Sequence, residues 1–162
     1  MTFDRLDSTG YMLNLCARLI ALRMAQALRP LGVAPAQLPV LFTLSALGES
    51  TQTELAERAG IEQPTMALLL RRMERDDLIE RTADNTDRRR AIVRLTEHAR
   101  QILPEIETIA TAINHQVVGE LSSVDKRLLI ALLTQVADNL RDPESIAAAV
   151  AAARARISES DS

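Results

Sequence analysis

At 162 residues the chain has the size of one ordinary domain, enough to bury a core without disulfide or metal staples. It is 47% apolar but only 2% aromatic, with five glycines and six prolines; this aliphatic, loop-poor composition suits packed helices and argues against a β-sandwich. The single cysteine, Cys16, excludes an internal disulfide framework, and a net charge of -3 argues against nucleic acid as a partner unless basic residues are locally concentrated.

They are concentrated. Arginines stand at 88, 89, 90 and 94 with no acid among them, while acids dominate elsewhere, as at Glu105 and Glu107. Screening limits the reach of those distant charges, so a basic point on an acidic body still meets phosphate. No stretch has the charged start, apolar middle and cleavage site of a signal peptide. Arg18 and Arg23 interrupt the first apolar run that approaches bilayer length. The expectation is a cytoplasmic protein with no membrane partner.

Residues 11–28 read as a helix, with Met12, Leu15, Cys16, Leu19 and Leu22 at helical spacing. Pro30, Gly32 and Pro35 punctuate it. A second helix starts near Pro35 or Pro39, carries Leu41, Leu44 and Leu47, and ends at Gly48, where a left-handed residue is wanted. A short third helix runs from about Thr51 to Ala59, and Thr51 with Glu54 makes a T-x-x-E capping box at its start. Gly60 follows. The fourth helix opens around Gln63, with Pro64 in the first turn where its missing amide hydrogen does no harm, and continues to about Asp77.

Two alternating segments come next, Leu78–Thr82 and Ala91–Leu95, joined by the polar tip Ala83-Asp84-Asn85-Thr86-Asp87-Arg88-Arg89-Arg90. Thr96 caps a long fifth helix in which Ile102, Ile106, Ile109, Ile113 and Val117 form a coiled-coil-like seam, with Pro104 early enough to be tolerated. Ser122 caps a sixth helix with Leu129, Leu132, Val136 and Leu140 on one face, and Pro143 marks its end. The tail 143–162 is alanine-rich, with helical propensity.

The segment TQTELAERAGIEQPTMALLLRRM, Thr51 to Met73, has the layout of a helix-turn-helix. Ala56 is small enough for two helices to cross closely, and Gly60 supplies a positive φ at the turn. Leu55, Ile61, Met66 and Leu69 face inward. Gln63, Thr65, Ala67, Leu68, Arg71 and Arg72 then face outward, at the part of such a motif that enters a major groove. A helical hairpin about a glycine also occurs in unrelated proteins. The basic β-hairpin directly after it makes the pattern far more specific, because such a loop reaches the neighbouring minor groove and backbone.

With those residues in view, TQTELAERAGIEQPTMALLLRRMERDDLIERT and NTDRRRAIVRLTEHA resemble the DNA-binding core of MarR-family regulators. The family's wing commonly reads D-R-R before a strand ending in L-T; here that is Asp87-Arg88-Arg89, then Ile92-Val93-Arg94-Leu95-Thr96. The resemblance covers roughly residues 10–140. It implies a mainly α fold with a small β-hairpin: about six helices, a two-stranded wing, and a winged helix-turn-helix lobe between N- and C-terminal dimerisation helices. Residues 1–142 are then one domain, with the lobe at about 35–96 and dimerisation helices at about 10–29 and 97–141.

By the same resemblance Arg89 enters the minor groove, Asp87 orients its guanidinium, and Arg88 and Arg90 lie nearer phosphates. On the recognition helix Gln63 and Thr65 suit base edges or phosphate, and Gln pairs bidentately with adenine. Pro64, Ala67, Leu68 and Arg72 complete the DNA-facing set; Leu68 stands where relatives often carry arginine. Arg71, Arg72 and Arg75 have a second reading, as partners of Glu74, Asp76 and Asp77 on their own helix.

The resemblance implies a homodimer that binds a pseudo-palindromic duplex as a transcription regulator, most often a repressor, and is released by a small aromatic or phenolic effector. Related peroxide sensors carry a cysteine near the start of the first helix with a tyrosine one turn later. Here Ile20 occupies that place, so Cys16 reads as a small buried hydrophobe. His98 and His115 lack metal-ligand spacing, and no nucleophile–base–orienter set can be assembled, so neither cofactor nor enzyme activity is expected. The competing reading is a winged-helix protein–protein module without DNA, which Glu62, Glu74, Asp76 and Asp77 keep open.

Overall fold

A computed structural model describes residues 8–83, 91–141, 144 and 146–152. The elements run α1 (Thr9–Leu28), a 3-10 turn (Arg29–Leu31), a second (Pro35–Gln37), α2 (Leu38–Leu47), β1 (Glu49–Thr51), α3 (Gln52–Ala59), α4 (Gln63–Arg75), β2 (Ile79–Ala83), β3 (Ala91–Leu95), α5 (Glu97–Val118) and α6 (Ser123–Arg141). Two compact units divide between Val117 and Val118.

In the first unit, helix ends are set by the residues that the sequence marks. The Thr51 hydroxyl accepts from the Glu54 amide at 3.3 Å, and the Glu54 carboxylate accepts from the Thr51 amide at 2.8 Å. Two of the free donors at the start of α3 are thereby satisfied. Gly60 closes α3 at φ 63°, with its amide donating back into the helix. Pro64 lies in the first turn of α4. Thr96 precedes α5, and its hydroxyl accepts from the Ala99 amide while donating to the Asp77 carbonyl, tying the start of α5 to the end of α4. Helix α5 runs unbroken through Pro104.

The expected two-stranded wing is a three-stranded antiparallel sheet, in the order β1-β3-β2. Strands β2 and β3 pair from Ile79↔Leu95 to Ala83↔Ala91. The additional strand pairs Glu49, Ser50 and Thr51 with Arg94, Val93 and Ile92. It has only three residues, too few for an alternating pattern, and its partner lies over forty residues further along the chain. The polar tip, with Asp87, Arg88, Arg89 and Arg90, lies outside the described residues.

The core joins Leu28, Val40, Leu41, Leu44, Leu55, Met66, Leu70, Met73, Leu78, Ile79, Val93 and Ile106, all nearly or fully buried. On α4 the innermost leucine is Leu70, whereas Leu69 is half-buried. The run Leu68-Leu69-Leu70 offers three adjacent apolar choices, and Met66, Leu70 and Met73 make the set with consistent four-then-three spacing. The α5 seam serves this same core: Ile106 is fully buried, and Ile102, Ile109 and Ile113 pack against it in part. Val117 is exposed.

The stripe expected on α1 lies on the surface of the chain. Met12, Leu19 and Leu22 are exposed, as is Cys16, and only Met24 and Leu28 are buried. Cys16 is therefore not the buried hydrophobe that its spacing suggested. Leu47 of α2 is exposed as well.

In the second unit α6 is capped by Ser122, which accepts from the Asp125 amide at 3.1 Å. None of its residues is buried, and Val124, Leu128, Ile130, Leu132, Leu133 and Leu140 are all exposed. Residues 146–152 are helical. No single helix among the described residues is long and apolar enough to cross a membrane.

The packing distinguishes two neighbouring leucines. Leu70→Ala should lower unfolding free energy by about 2–5 kcal/mol, the usual cost of a large core truncation, and Leu69→Ala should cost clearly less. Urea denaturation of both variants checks this; equal losses would contradict the assignment of Leu70 to the core.

Candidate nucleic-acid interface

With Met66, Leu70 and Met73 buried, the opposite face of α4 is fixed. Gln63, Pro64, Thr65, Leu68, Arg71 and Arg72 are exposed and Ala67 is half-buried. Every DNA-facing residue expected on this helix thus lies on one accessible side. Glu62 occupies the cap position and its side chain makes no capping bond. The Gln63 and Thr65 amides in the first turn of α4 are accordingly free of a capping side chain, a position where a helix N-terminus favours an anion.

The arginines divide by partner. Arg75 donates to Asp76 Oδ1 from Nε at 3.0 Å and from a terminal nitrogen at 2.9 Å. Among the described residues Arg71 and Arg72 have no ion-pair partner, so the self-paired alternative holds for Arg75 alone. Two acids of this region are also engaged. Glu74 lies 3.4 Å from Arg81, and Asp76 accepts a further bond from Gln37 Nε2 at 3.4 Å. The exposed Arg75–Asp76 pair adds little stability, but both pairs remove net charge from the surface beside α4.

Arg94, counted by sequence with the basic wing, belongs elsewhere. It lies on β3, opposite Glu49 of β1 and Glu80 of β2. Its guanidinium is ion-paired with Glu49 and donates to the Thr82 hydroxyl at 3.2 Å. It ties the sheet together rather than presenting free charge. Its partner is 45 positions away, beyond any local charge count.

Three contributors escape a reading of the sequence. Gln37 is buried; its Oε1 accepts from the Ala34 amide at 2.7 Å, while its Nε2 reaches Asp76 at the end of α4. Arg81 points its mostly buried guanidinium toward Glu74, so β2 holds the last turn of α4. Gln52, the first residue of α3, donates from Nε2 to Gln63 Oε1 at 3.2 Å. Only Gln52 carries a sequence signal, as a polar residue at the start of the helix preceding the recognition helix. Among the described residues no group of three or more His, Cys, Asp or Glu could hold a metal ion.

Comparison with known proteins agrees with this geometry. The sequence model of the MarR family matches residues 33–91. An uncharacterized HTH-type transcriptional regulator of Bacillus subtilis (strain 168), YwoH, is 28% identical over 116 residues, 72% of this chain and 84% of its own. A probable transcriptional regulator from Pseudomonas aeruginosa shares the fold with a TM-score of 0.74 at 28% identity, over 80% of this chain and 97% of its own. The M. tuberculosis transcriptional regulator MosR, solved in complex with DNA, superposes with a TM-score of 0.69 at 29% identity, over 84% of this chain and 100% of its own.

The turn that sets α4 against α3 depends on Gly60. A Cβ there would meet nothing within 4 Å, so the only obstacle to a side chain is its φ of +63°. Gly60→Ala should therefore cost about 1–2 kcal/mol of stability, the strain of a left-handed alanine, without the steric loss of an overpacked core. Urea denaturation checks the size; a neutral or stabilising substitution would contradict the account of the turn.

Proposed function

We propose that this chain, whose residues 33–91 match the sequence model of the MarR family, is a homodimeric regulator of transcription which binds a pseudo-palindromic duplex site. The observation that carries this reading is the outer face of α4. It offers Gln63 and Thr65 at its first turn and two cations, Arg71 and Arg72, that have no ion-pair partner among the described residues, above a fully buried inner face. Gln63 and Thr65 meet base edges or phosphates. Pro64 starts the helix, and Ala67 and Leu68 give apolar contact of the kind a thymine methyl accepts. Arg72, with Arg71, neutralises phosphates. At the wing Arg89 enters the minor groove, oriented by Asp87, with Arg88 and Arg90 on the backbone.

The protein–protein alternative required free acidic charge beside α4. Of the four acids that kept it open, Glu74 and Asp76 are paired, while Glu62 and Asp77 are exposed and have no ion pair among the described residues. The pairing lowers the free acidic charge nearest Arg71 and Arg72, which supports an anionic partner. The exposed leucines of α1 and the exposed apolar residues of α6 supply the surface for a second copy. An open hollow lined by Phe42, Glu107, Ala110, Thr111 and Asn114, between α2 and α5, has a volume of about 330 Å³. It is of the size that small ligands occupy, and we place the effector there. Ligand binding would bias the dimer between two shapes and so weaken DNA binding, making the protein a repressor released by its ligand.

Duplex affinity titrated against salt tests the reading. Arg71→Ala, Arg72→Ala and Arg89→Ala should each reduce the salt slope by about one unit per protomer, and Arg75→Ala should not. Slopes unaltered by all three, or binding indifferent to salt, would favour the protein–protein reading. Sedimentation at micromolar concentration should show a dimer; a monomer that still binds duplex tightly would contradict the assembly.

A further inference from the structure

The bond between Gln52 and Gln63 joins the first residue of α3 to the first residue of α4. It is a contact between side chains at the rim of the helix-turn-helix, and no packing requires it, since Gln63 is exposed and Gln52 is half-buried. We propose that Gln52 is a positioning residue that fixes the amide of Gln63 for recognition of adenine in the major groove. This rests on the reading of α4 as the recognition helix.

The chemistry lies in the direction of the bond. Gln52 Nε2 donates and Gln63 Oε1 accepts, at 3.2 Å. A glutamine carbonyl has two acceptor positions. Gln52 occupies one and leaves the other, together with the Gln63 NH2 donors. That remaining acceptor and the N–H beside it match adenine, whose N6 donates and whose N7 accepts. An unheld glutamine at the surface samples many rotamers and both orientations of its terminal amide. One of those orientations sets its carbonyl against adenine N7, acceptor against acceptor. Holding Oε1 through Gln52 removes that orientation before DNA arrives, and pre-organisation of this kind lowers the cost of binding.

The held atom also predicts how substitutions at residue 52 differ. Alanine releases Gln63 to both orientations. Glutamate can only accept, so it would hold Gln63 by Nε2 and turn the amide around, away from the match with adenine. Gln52→Glu should therefore reduce the adenine preference at least as much as Gln52→Ala. Neither change touches the core, and the caps of α3 rest on Thr51 and Glu54, so the fold should be unaffected.

The test is selection from a pool of randomised duplexes with the full chain, followed by affinities for single-substitution variants of the enriched site. The wild type should enrich sites with an adenine-preferring position in each half. Gln63→Ala should lose that preference by about 5- to 150-fold, the range of a bidentate base contact. Gln52→Ala should lose about 2- to 12-fold at the same position only, the worth of one neutral hydrogen bond. The double substitution should be no worse than Gln63→Ala, and thermal midpoints should remain unchanged. An intact adenine preference in Gln52→Ala, a loss spread over all positions, additive effects in the double substitution, or no preference lost in Gln63→Ala would overturn the inference while leaving DNA binding in place. If the wild type enriches no duplex, the reading of α4 falls and this inference falls with it.

Discussion

Burial of the inner stripe of α4 is the constraint on which the other features depend. Met66, Leu70 and Met73 are fully excluded from solvent, and α4 packs on α3 and β2. Rotating the helix by one residue would expose part of that stripe, and a large apolar side chain left in water forfeits roughly 1.5–3 kcal/mol. The rotation of α4 is therefore set by its own core, and the residues it offers to a partner follow without further choice. Binding side chains on a rigid helix are placed more accurately than those on loops.

Contacts at both ends complete the fixation. At the start, the reciprocal cap between Thr51 and Glu54 orients α3, and the turn at Gly60 sets the crossing. At the end, Asp77 has a φ of 55°, and its carbonyl accepts from Thr96 ahead of α5. Gln37 and Arg81 reach the same last turn from the loop before α2 and from β2. Residues just ahead of α2 and α5, Gln37 and Thr96, thus bond directly to the end of α4.

Local chemistry explains what the sequence made legible. The caps of α3 and α5, the glycine turn and Pro64 in the first turn of α4 all act over three or four residues, and each falls where it was expected. Strand β1 left no such mark, since its existence depends on pairing with β3 far along the chain. The choice between Leu69 and Leu70 was hidden within a run of three leucines. Arg94 looked like part of the basic wing because Glu49, its partner, is remote in sequence. The α1 stripe was legible as apolar, but periodicity registers a buried face without saying whether the same chain or a second copy covers it. Gln63 was visible as an outward-facing residue at the start of α4; its bond to Gln52, eleven positions earlier, was not.

Charge gives the account its internal consistency. An acidic chain meets a polyanion best where its acids are paired or distant, and on α4 Glu74 and Asp76 are paired beside two arginines, Arg71 and Arg72, that have no ion-pair partner among the described residues. The most direct measurement is dimethyl sulfate probing of guanine N7 in a duplex selected by the protein, because that atom lies in the major groove. Insertion of α4 from two copies predicts protection in two clusters about one helical turn, or a multiple of it, apart. A bound duplex whose major-groove N7 atoms all remain reactive would contradict the central claim that α4 is the element that enters DNA.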